Sequence, residues 1–288
     1  MKRTAVLIAV IAVGYVVASV LATQSVSPDP LVEEADALFD RWTDEFDFDT
    51  YEERLRGAIG LYEEALLLLD VADVARQTHV LNRLAQAYFE LATAYLVSDP
   101  EKEAAFLAGR DHALASLRLD PAFRAAEVTS FREALASASD VAAVFWYGND
   151  AGSYMNYHQL EAMFGGGARD VPTCYERAVA LDETYLGGAP LRSLACYLAR
   201  VPGFLGGDMS RARELFDRAM AVAPDFLENP VNLAELVLKP RGEVAEACAL
   251  LQDVVARSAD SAIMDLWPLY NELSARQARK LLTSLSCP

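Results

Sequence analysis

Basic residues are scarce in this chain. Its 288 residues hold 25 Lys and Arg against 42 Asp and Glu, a formal net charge of −17. A phosphate-binding face needs clustered cations, so nucleic acid is excluded as a partner, and the acidic balance otherwise speaks for solubility. Histidine is rarer still, at three residues. His79, His112 and His158 fall on separate predicted helices without metal-ligand spacing, so no metal site is expected. No Gly-x-Ser-x-Gly elbow occurs, no Cys has a His in a catalytic pattern, and paired carboxylates such as Glu52-Glu53 and Glu63-Glu64 read as solvated helix faces. The expectation is a protein that is not an enzyme and carries no cofactor. The triple glycine at 165–167 lacks both the Lys-Ser/Thr and the preceding strand of a phosphate cradle, and reads as a turn. Asp44–Asp49 lacks the glycine and the closing glutamate of a calcium loop.

Cysteine is also sparse. Cys174, Cys196 and Cys248 sit in helical apolar patterns, where a free thiol packs as a small hydrophobe, and Cys287 ends the chain. Packing is therefore expected over bridging, with Cys174 and Cys196, on adjacent predicted helices, as the pair should a bridge form. Only one long apolar run exists, Thr4–Ala22, preceded by Lys2-Arg3 and followed by a polar, proline-containing linker at 23–30. Its length suits a retained membrane anchor. Val20-x-Ala22 equally suits signal-peptide cleavage. Either way the body, residues 31–288, is expected to be exported.

What the chain has in abundance is helical periodicity. No convincing strand alternation appears after residue 30, and apolar residues recur at three- and four-residue spacing through Ala75–Leu96, Glu101–Leu119, Ser210–Val222 and Glu243–Arg257. Thr50, Ser130 and Thr173, each followed three residues later by Glu, are predicted helix starts, as are Asp99-Pro100 and Asp208. Tyr175–Leu186 and Phe216–Leu227 repeat one twelve-residue phrase 41 residues apart, with Arg177/Arg218, Ala178/Ala219, Ala180/Ala221 and Leu186/Leu227 identical. Looser copies lie at Tyr62–Leu66 and Ala115–Phe123. A unit repeated this way cannot bury its apolar face alone and must stack on its neighbours. The fold expected is all-α: a tetratricopeptide-like helical repeat array, an α-solenoid of eleven or twelve helices, interrupted by an irregular insertion near 124–172.

That insertion is dense in aromatics: Phe145, Trp146, Tyr147, Tyr154 and Tyr157, followed by His158. These six residues are the candidate lining of a ligand cavity, with the Tyr hydroxyls, Asn149 and His158 able to orient a ligand. The same aromatics also suit plain core filling where the repeat geometry breaks. On a helical wheel Trp146 and Asp150 share a face with Tyr154 and Tyr157–His158, while Phe145 and Tyr147 diverge.

From Phe145 onward several stretches resemble the TRAP-transporter-associated tetratricopeptide family, the T component. They are Phe145–Gly148, then Tyr185–Pro190 leading to Tyr197–Pro202, next Gly206–Ala212 running into Phe216–Leu227, and the tail Asn271–Leu282. The pairing of Pro202 with Gly206-Gly207-Asp208 is the most specific element. The N-terminal half matches only in helical style. The resemblance implies a periplasmic helical-repeat protein that pairs with the solute-binding protein of a tripartite ATP-independent transporter. It further implies a cavity or pore for a small apolar ligand, and oligomeric assembly. Members of that family are typically lipoproteins, but here no Cys follows the apolar run near 22–26, so lipid attachment is not expected. A general cell-envelope scaffold gripping an unrelated protein on its concave face is the other reading the sequence leaves open.

Overall fold

The computed structural model describes residues 27–43, 46–158 and 167–288. The N-terminal apolar run and the first half of its linker, Asp44 and Glu45 of the acidic segment, and Gly165-Gly166 lie outside the described residues. Every regular element described is helical: α1 (Asp29–Phe39), α2 (Tyr51–Leu68), α3 (Val74–Ala94), α4 (Asp99–Leu117), α5 (Pro121–Glu127), α6 (Phe131–Ser137), α7 (Val141–Met155), α8 (Gly167–Asp182), α9 (Tyr185–Arg200), α10 (Met209–Val222), α11 (Glu228–Leu233), α12 (Val244–Arg257), α13 (Ser261–Met264) and α14 (Pro268–Leu285). A 3₁₀ turn at Gly203–Leu205 follows α9, and α11 runs into a π-helical turn at Ala234–Leu238. The helices outnumber the sequence expectation because the short α5, α6 and α13 are separate elements.

The starts follow side-chain chemistry. Asp73, Asp120, Ser130, Asp140, Asp208 and Asp260 each accept from a first-turn backbone N–H, satisfying donors that have no intrahelical partner. Three expected caps behave differently. Asp99 is the first residue of α4 rather than its cap, the cap position being Ser98, which makes no side-chain cap hydrogen bond. Thr50 bonds Asp47 rather than its own helix. Thr173 lies inside α8, where its Oγ1 donates to the Arg169 carbonyl at 3.0 Å. Helix α8 instead begins at Gly167 and runs through Pro172.

Each long helix packs on the next: α1 on α2, α2 on α3, α3 on α4, α4 on α7, α7 on α8, α8 on α9, α9 on α10, and so to α12 on α14. The chain is thus an all-α helical repeat array. The repeated phrase shows how it stacks. Ala178 and Ala219 are fully buried at matching places in α8 and α10, beside buried Tyr175 and Phe216. After the first copy the backbone turns sharply, with Leu186, Gly187 and Gly188 all at positive φ (44°, 64° and 77°). A Cβ on Gly187 would sit 2.2 Å from the Phe226 ring, so glycine is required there both by conformation and by space.

The array closes on itself. Leu269 of α14 is fully buried within the core of α1–α3. Trp42 donates through Nε1 to the Leu266 carbonyl at 2.8 Å, and Arg276 pairs with Asp49 at 3.1 Å. Between them lies Arg41, fully buried, with its Nη1 2.5 Å from Glu90 Oε2 of α3. Glu90 also accepts from Gln86 Nε2 at 2.8 Å and from the Tyr270 hydroxyl at 2.5 Å. The guanidinium lies 4.6 Å from the Phe39 ring centroid and 4.9 Å from that of Trp42. Its Nε and Nη2 make no hydrogen bond, so the ring faces provide their electrostatic counterpart. Burial alone would lower the Arg41 pKa, but the Glu90 carboxylate raises it, which keeps the guanidinium charged.

A disulfide joins Cys248 of α12 to Cys287, just beyond α14, with a Cα–Cα distance of 5.6 Å. This corrects the sequence expectation in two ways: a bridge is present, and the alternative pair, Cys174 and Cys196, is free. The free cysteines face different neighbours. Cys174 presses its Cβ against Gly148 of α7, where an added methyl would come within 2.8 Å, whereas Cys196 faces the interior cavity.

Candidate functional site: a central cavity

Closure of the array leaves a cavity of about 910 Å³ at its centre. Such a volume lies in the range of roughly 300–1,000 Å³ typical of small-molecule sites. Its wall comes from α3, α7, α8, α9, α11 with its π turn, and α14, with the 3₁₀ turn at one end. Residues distant in sequence are therefore brought together only when the first and last helices meet.

Helix α7 contributes one stripe. Phe145, Asn149, Gly152, Ser153 and Asn156 line the cavity together with Trp146, a set at three- and four-residue spacing on one helical face. Phe145 and Trp146 are nearly fully buried at 1% and 2% exposure, so they fill core and form wall at once. Trp146 Nε1 donates to the Tyr185 hydroxyl at 3.1 Å, and Phe145 meets the Tyr185 ring edge-on at 5.5 Å.

The other four candidate residues stand away from the cavity. Tyr147 meets Phe131 of α6 edge-on at 5.6 Å. Tyr154 stacks on His158 at 4.3 Å, under the Arg110 guanidinium. His158 Nε2 lies 2.7 Å from Glu103 Oε1 of α4. Tyr157 packs on the cluster built from Ala92, Ala105 and Phe106. The wheel groups Trp146 with Asp150, Tyr154 and Tyr157 and sets Phe145 apart; in the fold Phe145 and Trp146 both line the cavity with Asn149, and Asp150, Tyr154 and Tyr157 do not. Asp150 is fully buried against Gly109 of α4. Neither of its carboxylate oxygens has a hydrogen-bond partner, and desolvation raises its pKa well above the usual carboxylate range. Burial therefore favours its protonated form relative to an exposed carboxyl.

Helix α9 supplies the wall that sequence reasoning did not single out: Ala189, Arg192, Ser193, Cys196, Tyr197 and Arg200. Arg192 is 6% exposed. Its Nη1 donates to Asn229 Oδ1 at 3.0 Å, its Nε lies 3.2 Å from Glu228 Oε2, and its guanidinium covers the Phe226 ring at 4.4 Å. Asn229 Nδ2 bonds the carbonyls of Gly187 and Ala219 at 3.3 and 3.2 Å, so the same knot satisfies the backbone left open by the left-handed turn. Ser193 donates to Asn149 Oδ1 at 3.0 Å, tying α9 to α7. Burial lifts the Cys196 thiol to about 11, leaving it protonated. One sequence signal was available: Arg192, Ser193 and Arg200 interrupt the otherwise apolar LRSLACYLAR.

Among the described residues no group of His, Cys, Asp and Glu is arranged to hold a metal ion, and no helix is long and apolar enough to cross a membrane.

The geometry defines a class: a ring-closed helical repeat protein around a chamber of solute size. The chain belongs to the TRAP transporter T-component family (TAtT), whose family model matches residues 71–286. The match begins within the loop before α3, so it takes in most of the N-terminal half that sequence inspection had left as helical style. Among curated proteins none matches the sequence significantly. As a T component, the chain is an accessory part of a TRAP transport system.

Proposed function

We propose that this T component holds a small, largely apolar solute in its central cavity, in the periplasm, and works there with the solute-binding protein of the transporter. The observation that carries the reading is the chamber itself. Apolar groups such as Phe89, Val231 and Leu269 share its wall with a few placed polar ones such as Asn149, Ser193 and Tyr175, the composition of a ligand site rather than of a packing defect. Phe145 and Trp146 are the proposed contact residues from the aromatic set. Tyr147, Tyr154, Tyr157 and His158 serve behind them, propping α7 against α4 and α6. The Cys248–Cys287 bridge supports an exported body, because structural disulfides persist in oxidising compartments.

Two measurements test this. The uncharged fluorophore N-phenyl-1-naphthylamine should bind the purified protein, and Ser153→Trp, which projects a large ring into the cavity from a half-buried position, should abolish that binding while the protein stays folded. Affinity capture from the native envelope should recover a solute-binding protein. Recovery of envelope-assembly factors alone, with the fluorophore unbound, would replace the proposal with the scaffold reading.

A further inference from the structure

The charges around the cavity are balanced. Its wall carries Arg192 and Arg200 against Glu90, Glu228 and Glu235, and Arg41 stands directly behind Glu90. The buried members are already spoken for. Glu90 is held by Arg41 at 2.5 Å, and Arg192 by Glu228 at 3.2 Å. Glu235 accepts from Gln277 at 3.4 Å, and Arg200 sits at the exposed end of α9. A carboxylate or ammonium reaching the buried part of the chamber, beside Glu90 and Arg192, would lose its water and meet only charges that are already paired, whereas Glu235 and Arg200, which carry no ion pair among the described residues, stand partly exposed or exposed to water.

Unused hydrogen-bond donors are nevertheless present. Asn149 is 8% exposed, and its Oδ1 is taken by Ser193. No group among the described residues accepts from its Nδ2. In Arg192, Nη1 is used by Asn229 and Nε by Glu228, while Nη2 has no acceptor among the described residues. Both side chains line the cavity from neighbouring helices, and neither nitrogen is among the sealed, unpartnered atoms. Donors kept accessible at a nearly buried wall cost stability unless water or a ligand oxygen meets them.

Resting on the ligand-binding reading above, we infer that the cavity takes an uncharged solute: an apolar body bearing a hydroxyl, ether or carbonyl oxygen that accepts from Asn149 Nδ2 and Arg192 Nη2. Apolar contact along Phe145, Trp146, Val231 and Leu269 supplies affinity, and the two donors set orientation. The inference excludes an organic anion as the resident ligand.

The test uses the full chain, the fluorophore N-phenyl-1-naphthylamine, and two competitors with equal tails, decan-1-ol and decanoate, at pH 7.5. Decanol should displace the fluorophore at a concentration at least tenfold below that of decanoate. Asn149→Ala should weaken decanol by about threefold to tenfold more than it weakens the fluorophore, the worth of one hydrogen bond. Decanoate competing as well as decanol, or Asn149→Ala weakening decanol no more than the fluorophore, overturns the inference while the ligand-binding reading survives. The wild-type ratio of the two competitors decides the matter even if the variant fails to fold. Failure of the fluorophore and both competitors to bind removes the ligand-binding reading and this inference with it.

Discussion

Two buried arginines, one behind the chamber wall and one in it, have different tasks. Arg41 joins the ends of the array: it is fully buried, shares Glu90 with Gln86 and Tyr270, and turns its unbonded nitrogens to aromatic faces. Arg192 belongs to the wall: it is slightly exposed, pairs with a half-buried Glu228 and keeps Nη2 unbonded. Both are neutralised, but only the second leaves a donor where a ligand can reach it. Burial depth, not charge, separates a structural tie from a recognition group here.

The sharpest way to break the comparison is to remove one member of the deeper pair. Glu90→Ala should destabilise the protein by about 3–5 kcal/mol, because it strands a buried guanidinium. Urea unfolding would measure this, and ring opening should also abolish fluorophore binding. A loss below 1 kcal/mol would show that the array does not depend on this tie.

Asp150 is a third case: a buried carboxyl with no countercharge and no hydrogen-bond partner among the described residues. Its pKa is raised in the folded state by desolvation, so the folded protein binds a proton more tightly than the unfolded chain. The contribution of this group to stability is then most favourable below the unfolded carboxylate pKa of about 4. It falls as pH rises from there towards the folded pKa. Asp150→Asn cannot ionise and nearly keeps the shape beside Gly109. Its melting temperature should match wild type at pH 4 and exceed it increasingly up to pH 7. A constant difference across that range would mean that Asp150 is ionised in the fold.

Arg192→Leu comes next. It leaves Glu228 half-exposed and rehydrated, so the expected loss is about 1–3 kcal/mol, chiefly from the unmet Asn229 Oδ1. Decanol binding should fall more than fluorophore binding. Equal loss of both would make Arg192 a second structural tie and erase the contrast with Arg41.

Much of this was legible in the sequence. Repetition of Tyr175–Leu186 at Phe216–Leu227 implied stacking, and buried Ala178 and Ala219 are the small residues that close packing requires. Asp208 before Ser210 reads as a cap because that chemistry is local. The cavity was only half visible. Phe145 and Trp146 stood out by size, yet a wheel drawn on one helix cannot say which side meets a neighbour. Arg192, Glu90 and Tyr270 converge only because the chain closes into a ring, a relation between residues as far apart as Glu90 and Tyr270. The Cys248–Cys287 bridge had a faint signal, since Cys287 alone lay outside an apolar helical pattern.

The smallest effect belongs to the outer strap of the closure. Trp42 is 46% exposed and donates one hydrogen bond, to the Leu266 carbonyl at 2.8 Å, while its ring meets Trp267 edge-on at 6.4 Å. Trp42→Phe keeps a ring above Arg41 and beside Trp267 but deletes the donor. At a water-accessible site the freed carbonyl can be hydrated, so the loss should be about 0.5–1 kcal/mol, with fluorophore and decanol affinities unchanged. The comparison with Glu90→Ala is what gives the measurement its value. If closure is carried by the buried Arg41–Glu90–Tyr270 knot, removing a surface strap costs little and leaves the chamber intact. Should Trp42→Phe cost as much as Glu90→Ala, or empty the cavity of its fluorophore, the loop between α1 and α2 would be the element that shuts the ring, and Arg41 would only fill the space behind it.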